Sequence, residues 1–422
     1  MTISRRKFIK DAALASAAFT IVPRHVLGNG HVPPSDQVNV GVIGLGKLSR
    51  YLTKALIEHD GVQVVAGSDV WNIKRSWFKE QVATNYAELR ESTSYHGVST
   101  YADYRELLAQ SDIDAVIVST PDHWHAIQAI DAMNAGKDVY CEKPLTRTIR
   151  EGRELVNAAN ATKRVVQTGS MQRSWEDFRR ACELVRNGYL GELSRIDVNV
   201  GDPARAYDLA EEPLPYGVDW KAWCGPAGML AYNHRLAPPS NNVEFWPDWR
   251  LFREVGGGIL ADWGAHMFDI AQWALDMDRS GPVELVPPED PSAVRGLKMK
   301  YANGVVVAHT DFGRGWAVRF HGSEGTLDVR RQFFETDPPG LKDAELKPGD
   351  TRLRDTGRDH IGDWLNAIRT RGTPLCDAET GHRSASVCSL ANIAYRLNRP
   401  LKWDPVKEQF AGDDEANRLA ME

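Results

Sequence analysis

"VNVGVIGLGKLSRYLTKAL", residues Val38 to Leu56, changes its period halfway along, and that change decides the first half of the fold. Val38 to Ile43 is a mostly apolar run ending at Gly44, the pattern of a parallel strand buried on both faces. From Lys47 the apolar residues Leu48, Leu52 and Leu56 recur at helical spacing. Between strand and helix stands Gly44-Leu45-Gly46-Lys47-Leu48-Ser49. The first glycine permits the tight turn, and the second lets backbone approach a pyrophosphate at the positive end of the helix. The third position, which serves close helix–strand packing, is Ser49 instead of glycine. A second strand, Val62 to Ala66, ends at Ser68-Asp69, where an acid would meet an adenosine ribose.

The alternation continues downstream. Asp103 to Ala109 reads as a short helix, Ala115 to Ser119 as a buried strand, and Trp124 to Ala135 as a helix closed by Gly136. Asp138 to Cys141 is another strand, Thr148 to Asn160 a helix, and Arg164 to Gln167 a strand. This predicts a doubly wound parallel Rossmann sheet over residues 37–168, with ligands at the strand carboxyl ends. Gly44, Gly46, Lys47 and Leu48 would face the dinucleotide phosphates, and Asp69 the ribose hydroxyls. A carboxylate there repels a 2′-phosphate, and Val70 and Trp71 follow where an NADP site wants a basic residue, so NAD is expected over NADP. Two further strand ends stand out: Ser119 to His125, "STPDHWH", and Cys141 to Leu145, "CEKPL".

After Gly169 the pattern changes. A helix from Trp175 to Arg186 leads to an alternating strand, Leu193 to Val200. Residues 202–253 are irregular and rich in Pro, Gly and Trp, which suits a substrate-binding loop. A hairpin signal sits at Asn303-Gly304, with strands at Val318 to Phe320 and Thr326 to Val329. Helices return at Asp359 to Thr370 and His382 to Leu397. The expectation is an α+β domain over 169–405, built on a large, open, mostly antiparallel sheet with one face free for self-association, then a tail over 406–422. Within it, Asp262 and His266 stand four residues apart, on one face of a helix that begins after Gly256 to Gly258. Three readings are open for the pair: an acid–base pair, in which the ordinary pKa of histidine suits a general base; a cap aspartate with a structural histidine; or two metal ligands. No third ligand has convincing spacing, so no metal is expected.

Bulk properties narrow the class. The 422 residues are 42% apolar and 26% charged, with a net charge of −6 and both signs interspersed. Nothing here suggests a nucleic-acid or membrane partner; a small neutral or hydroxylated substrate fits better. The five cysteines are odd in number and lack C-x-x-C spacing, as expected of buried thiols. At the N-terminus "SRRKFIK", Ser4 to Lys10, precedes the short apolar run Ala12 to Val22 and a Gly/Pro-rich stretch, Gly28 to Pro34. The expectation is a twin-arginine export signal over 1–30, a partner export machinery and a periplasmic destination.

Thr120 to Leu145, "TPDHWHAIQAIDAMNAGKDVYCEKPL", resembles the signature of the Gfo/Idh/MocA oxidoreductases. The likeness extends to Asp219 to Ala227, Gly256 to Leu275 and Gly322 to Val329. It implies that Lys143 points into the active site beside the nicotinamide, with Asp262 and His266 facing it. Lys143 would fix the substrate oxygen, His266 would be the general base, and Asp262 would orient the substrate or the imidazole. The resemblance also brings Ser119, Thr120, Pro121, His125 and Glu142 to the cofactor, with His125 in a structural role. Arg173 would touch substrate at the hinge. Tyr232 and Asn233 would rim a sugar site, and Trp246 and Trp249 would offer flat faces to sugar rings. Three functions compete: a NAD-dependent oxidoreductase of a sugar, cyclitol or glycoside hydroxyl; a glycosidase or lyase using bound NAD transiently; and a non-catalytic sugar-binding protein. A homo-oligomer is expected.

Overall fold

The computed structural model describes residues 37–89, 97–240 and 246–422; the expected export signal lies outside these. The first strands and helices follow the expected alternation: β1 (Val38–Ile43), α1 (Lys47–Ile57), β2 (Val62–Ser68), α2 (Asn72–Leu89), β3 (Ser99–Tyr101), α3 (Tyr104–Leu108), β4 (Ala115–Val118), α4 (Asp122–Asn134), β5 (Asp138–Cys141), α5 (Ile149–Thr162) and β6 (Val166–Thr168). All six strands are parallel, in the order β3-β2-β1-β4-β5-β6. The order reverses direction between β1 and β4, which opens a crevice at their carboxyl ends. Register sharpens it. Ile43 pairs with both Ser68 and Val118, so Gly44, Asp69 and Ser119 emerge along one edge. The sequence reading passed over α2, whose buried residues are only Phe78, Val82 and Tyr86 among polar neighbours, too thin a stripe to register.

The second sheet uses α6 (Glu176–Arg186), β7 (Leu193–Asn199), α7 (Trp220–Cys224), α8 (Gly258–Ala274), β8 (Glu284–Val286), β9 (Lys298–Lys300), β10 (Val306–His309), β11 (Ala317–Gly322), β12 (Gly325–Arg330) and β13 (Phe333–Asp337). It is completed by β14 (Leu401–Asp404) and β15 (Gln409–Phe410), after α9 (His360–Thr370) and α10 (Ala378–Leu397). Nine strands run in the order β13-β12-β11-β7-β10-β9-β8-β14-β15; only β7 and β10 pair parallel. This is the mixed, mostly antiparallel sheet expected. Apolar residues of α6, α8 and α10, among them Phe178, Phe268 and Leu390, cover one face together with Val307 and Phe320. Arg195–Asp197 and Arg319–Asp328 ion pairs occur along its strands.

Two segments depart from the expected domain plan. Helix α9 turns back onto the first sheet: Trp364 and Leu365 join the core of Val40, Leu52 and Tyr140. Residues 406–422 are no tail, since β15 pairs with β14, a last helix α11 (Asp414–Met421) follows, and Phe410 and Ala416 are buried. Both return because their apolar faces have no other surface to cover them. The five cysteines are free and buried. No described helix is long and apolar enough to cross a membrane.

Candidate active site

The crevice at the carboxyl ends of β1 and β4 continues into a cleft of about 830 Å³ that runs to the near face of α8. At its first end stands the glycine loop. Gly44 has φ +86°, and a Cβ there would lie 2.7 Å from the Thr120 backbone nitrogen, so only glycine fits. Gly46 faces open space, and helix α1 begins after it without a side-chain cap. An uncapped helix start beside a glycine cradle is the donor set that a pyrophosphate requires. Ser49 replaces the third glycine without penalty: it is fully buried and donates its hydroxyl to the Gly46 carbonyl at 2.7 Å. Asp69 Oδ2 accepts from Leu45 N–H at 2.8 Å and Oδ1 from Trp71 N–H at 2.9 Å, which fixes the carboxylate against the loop. Ser119 Oγ donates to the Gly44 carbonyl at 2.8 Å, and Thr120 and Pro121 follow on the same wall. Lys47 and Leu48 line the cleft too, with Lys47 Nζ 4.1 Å from the centre of the Trp246 ring. The residues present therefore fit a dinucleotide.

Deeper in, Lys143 Nζ donates to Asp262 twice, to Oδ1 at 2.5 Å and to the carbonyl at 2.8 Å. Arg250 reaches Asp262 Oδ2 at 3.5 Å. Burial alone would raise Asp262, but Lys143, Arg250 and Arg331 hold it below its usual value. Asp262 was expected to orient substrate or imidazole; it holds the lysine instead, because the ammonium lies within its reach. His266, one turn further along α8, is buried, and its Nδ1 has no hydrogen-bond partner among the described residues. Burial first, then Lys143, Arg331 and His360, push its pKa well below the ordinary histidine value. Burial thus favours the neutral imidazole over its cation. Two carboxyls lining the same cleft are shifted the other way by burial, Glu142 up to about 7 and Asp122 up to about 8. His125 bridges the Pro144 and Thr120 carbonyls at 2.8 and 2.9 Å, a structural histidine on the cofactor wall. Among the described residues no three His, Cys, Asp or Glu side chains are grouped to hold a metal ion.

The expected substrate residues divide. Trp246 and Trp249 line the cleft, but Arg250 lies on both rings, 4.6 and 4.4 Å from their centres. Arg173 does not face the cleft. It is 1% exposed and clamped by Asp269 and Asp278, so it ties the hinge to α8. Tyr232 and Asn233 are also corrected. Tyr232 packs edge-on against Trp220, 5.2 Å between ring centres, and Asn233 donates to the Ala210 carbonyl, because Trp220, Trp223, Tyr232 and Phe252 form a small aromatic core with Trp71. Trp263 and Trp316, stacked 4.1 Å apart, form the flat wall in their place. Arg250 and Arg331 escaped the sequence reading, since an isolated arginine in a loop or turn carries no periodic or motif signal.

The chain matches an oxidoreductase family with an NAD-binding Rossmann fold over residues 38–170, and that family's C-terminal alpha/beta domain over 204–422. A "glycosyl hydrolase family 109 protein" of Shewanella pealeana is 31% identical over 208 residues, 46% of this chain and 45% of that protein. The chain thus spans about half the length of the curated relatives it matches. Two solved structures share the fold: myo-inositol 2-dehydrogenase from Lactobacillus plantarum, at TM-score 0.57 and 18% identity, and an aldose-aldose oxidoreductase from Caulobacter crescentus, also at 0.57 and 18%. Each covers 87% of this chain and 99% of its own.

Proposed function

The chain belongs to the Gfo/Idh/MocA oxidoreductase family, and on that premise we propose that it oxidises or reduces a hydroxyl of a sugar, cyclitol or glycoside with NAD held in the cleft. The observation that carries this reading is the Lys143–Asp262 contact beside His266, whose buried Nδ1 has no hydrogen-bond partner among the described residues. Two of the three ammonium hydrogens are taken by Asp262, which leaves one for a substrate oxygen. His266, kept neutral by burial, accepts the hydroxyl proton as the carbonyl forms and returns it in the reverse direction. A bound nicotinamide supplies the hydride acceptor for the carbinol carbon. Asp69 supports NAD over NADP, since its carboxylate is fixed where a 2′-phosphate would meet it.

A glycosidase with transient oxidation is the second reading, favoured by the name of the Shewanella relative. Elimination needs an acid for the departing oxygen. Asp122 lines the cleft and is protonated at neutral pH, its pKa pushed to about 8 by burial. Product analysis with purified enzyme separates the two: a ketone with equivalent NADH supports the first, and free sugar plus aglycone without net redox the second. Neither product from a broad sugar panel would overturn both.

We also propose that "SRRKFIK" sends the folded, NAD-loaded enzyme to the periplasm. Free NAD is scarce outside the cell, so a bound nucleotide would have to be recycled on the enzyme. Protein from the exported fraction is expected to hold near-stoichiometric NAD through gel filtration. An empty exported protein that works only with added NAD contradicts this.

A further inference from the structure

Arg331 sits in the tight turn between β12 and β13 and lines the same cleft, beside α8. Its guanidinium carbon lies 4.5 Å from the centre of the Trp263 ring and 5.3 Å from that of Trp175. Its Nε donates to Gln172 Oε1 at 2.8 Å, and Gln172 is itself fully buried, its amide directed at the Met267 sulfur. Stacking and this one hydrogen bond fix the guanidinium plane and leave both terminal amino groups for a ligand. Three other arginines of the interior meet carboxylates: Arg173 has Asp269 and Asp278, Arg383 has Glu379, and Arg250 has Asp262. Arg331 makes no ion pair among the described residues. The carboxylates that act on it at longer range, Asp262 and Glu142, are engaged elsewhere, Asp262 by Lys143 and Glu142 by the Lys143 N–H.

We propose that Arg331 is the recognition site for an oxyanion carried by the substrate, a carboxylate or sulfate ester on the sugar ring, so that the cleft takes acidic sugars. This rests on the reading of the cleft as a sugar site. A half-buried cation without a counter-ion is costly, and a bidentate oxyanion offsets that cost. The placement agrees. Trp263 neighbours both groups, 4.5 Å from the Arg331 guanidinium carbon and 5.8 Å between ring centres from His266, and Arg331 acts electrostatically on His266. A sugar laid against the exposed Trp316 in this cleft can offer a hydroxyl to His266 and a ring substituent to Arg331. The surrounding charge agrees too: beside Lys143, Arg250 and Arg331 stand Asp262, which those cations hold ionised, and two carboxyls that burial pushes towards the protonated form, Glu142 to about 7 and Asp122 to about 8.

The test is direct binding to the full-length, NAD-loaded enzyme by calorimetry, so that no turnover is needed. The probes are D-glucuronate, D-galacturonate and D-glucose 6-sulfate against D-glucose and D-galactose. At least one acid is expected to bind tenfold or more tightly than its neutral counterpart; which one does so identifies carboxylate or sulfate. Arg331→Met should abolish the preference and Arg331→Lys should keep part of it, the latter guarding against a variant that fails to fold. Acids that bind no better than neutral sugars overturn the proposal, as does a preference that survives in Arg331→Met. Loss of NAD affinity in that variant with the sugar preference unchanged also overturns it. Acid binding without any ketone formed would leave this site standing and sink the oxidoreductase reading; ketone from neutral sugars without acid preference would do the reverse.

Discussion

Lys143 Nζ meets Asp262 Oδ1 at 2.5 Å and the Asp262 carbonyl at 2.8 Å, a contact between positions 119 residues apart in the chain. It joins the strand end of the nucleotide sheet to the helix that carries His266. Both side chains are mostly buried, so neither charge is well placed without the other.

Lys143→Ala should therefore cut turnover by about two orders of magnitude or more, the scale of a positioned acid–base group, and leave NAD binding largely intact. Asp262→Asn keeps the shape but removes the counter-charge of the buried ammonium, and should lower both turnover and the thermal midpoint. Steady-state kinetics beside nucleotide titration check both. Near-full activity in Lys143→Ala would remove the lysine from the mechanism.

His266 titrates well below the ordinary histidine value because burial penalises its cation. A base of that kind loses activity only when protonated, so the acid limb of kcat/KM should lie well under pH 6.5. His266→Gln should abolish that limb along with most of the activity. An acid limb centred near 6.5 in the wild type would show that His266 is not the titrating base.

Asp69 is tied to the glycine loop through Leu45 N–H, so removing its acceptor weakens the cradle as well as the ribose contact. Asp69→Asn with Val70→Arg keeps an acceptor, removes the repulsion and adds a phosphate partner. Its ratio of NADP to NAD affinity should rise by tenfold or more, while Asp69→Ala should weaken both nucleotides. Unmodified protein already preferring NADP would contradict the assignment.

Stability should peak near pH 6.5. His123, His125, His309 and His360 are buried and held at about 4, so the unfolded chain binds more protons than the native one between pH 4 and 6.5. Glu142 and Asp122, raised by burial to about 7 and about 8, act in the opposite sense: the native state holds protons that the unfolded chain has released above about pH 4.5. These four, with His266 acting in the same direction, outweigh the two acids below 6.5, so stability rises with pH there. Above 6.5 the raised acids are left, so stability falls as pH rises, and the buried thiols, also raised, carry the fall past pH 8. Each group contributes on the order of 1 kcal/mol per pH unit inside its window. Thermal melts from pH 5 to 8 measure the curve, and a monotonic rise would refute it.

Much of this molecule was legible in one dimension. A strand, a glycine turn and a helix announce themselves by period, since each depends on neighbours within a few residues, and the parallel sheet follows from their alternation. Asp262 and His266 were placed on one helix for the same reason. The weakly striped helix α2 was missed, and so was the return of α9 to the first sheet, since neither leaves a local pattern.

The amino-acid order by itself determined the nucleotide-binding architecture and the loop at Gly44 to Gly46, and it placed Asp262 and His266 on one helix. Which charge meets which was decided only by the tertiary structure. It gave Asp262 to Lys143 instead of His266, took Arg173 out of the site to meet Asp269 and Asp278, and left Arg331 facing the cleft. The physical reason is one of range. Backbone geometry fixes spacing over a turn or a strand, whereas an ion pair and its desolvation depend on what packing brings within a few ångströms across the whole chain.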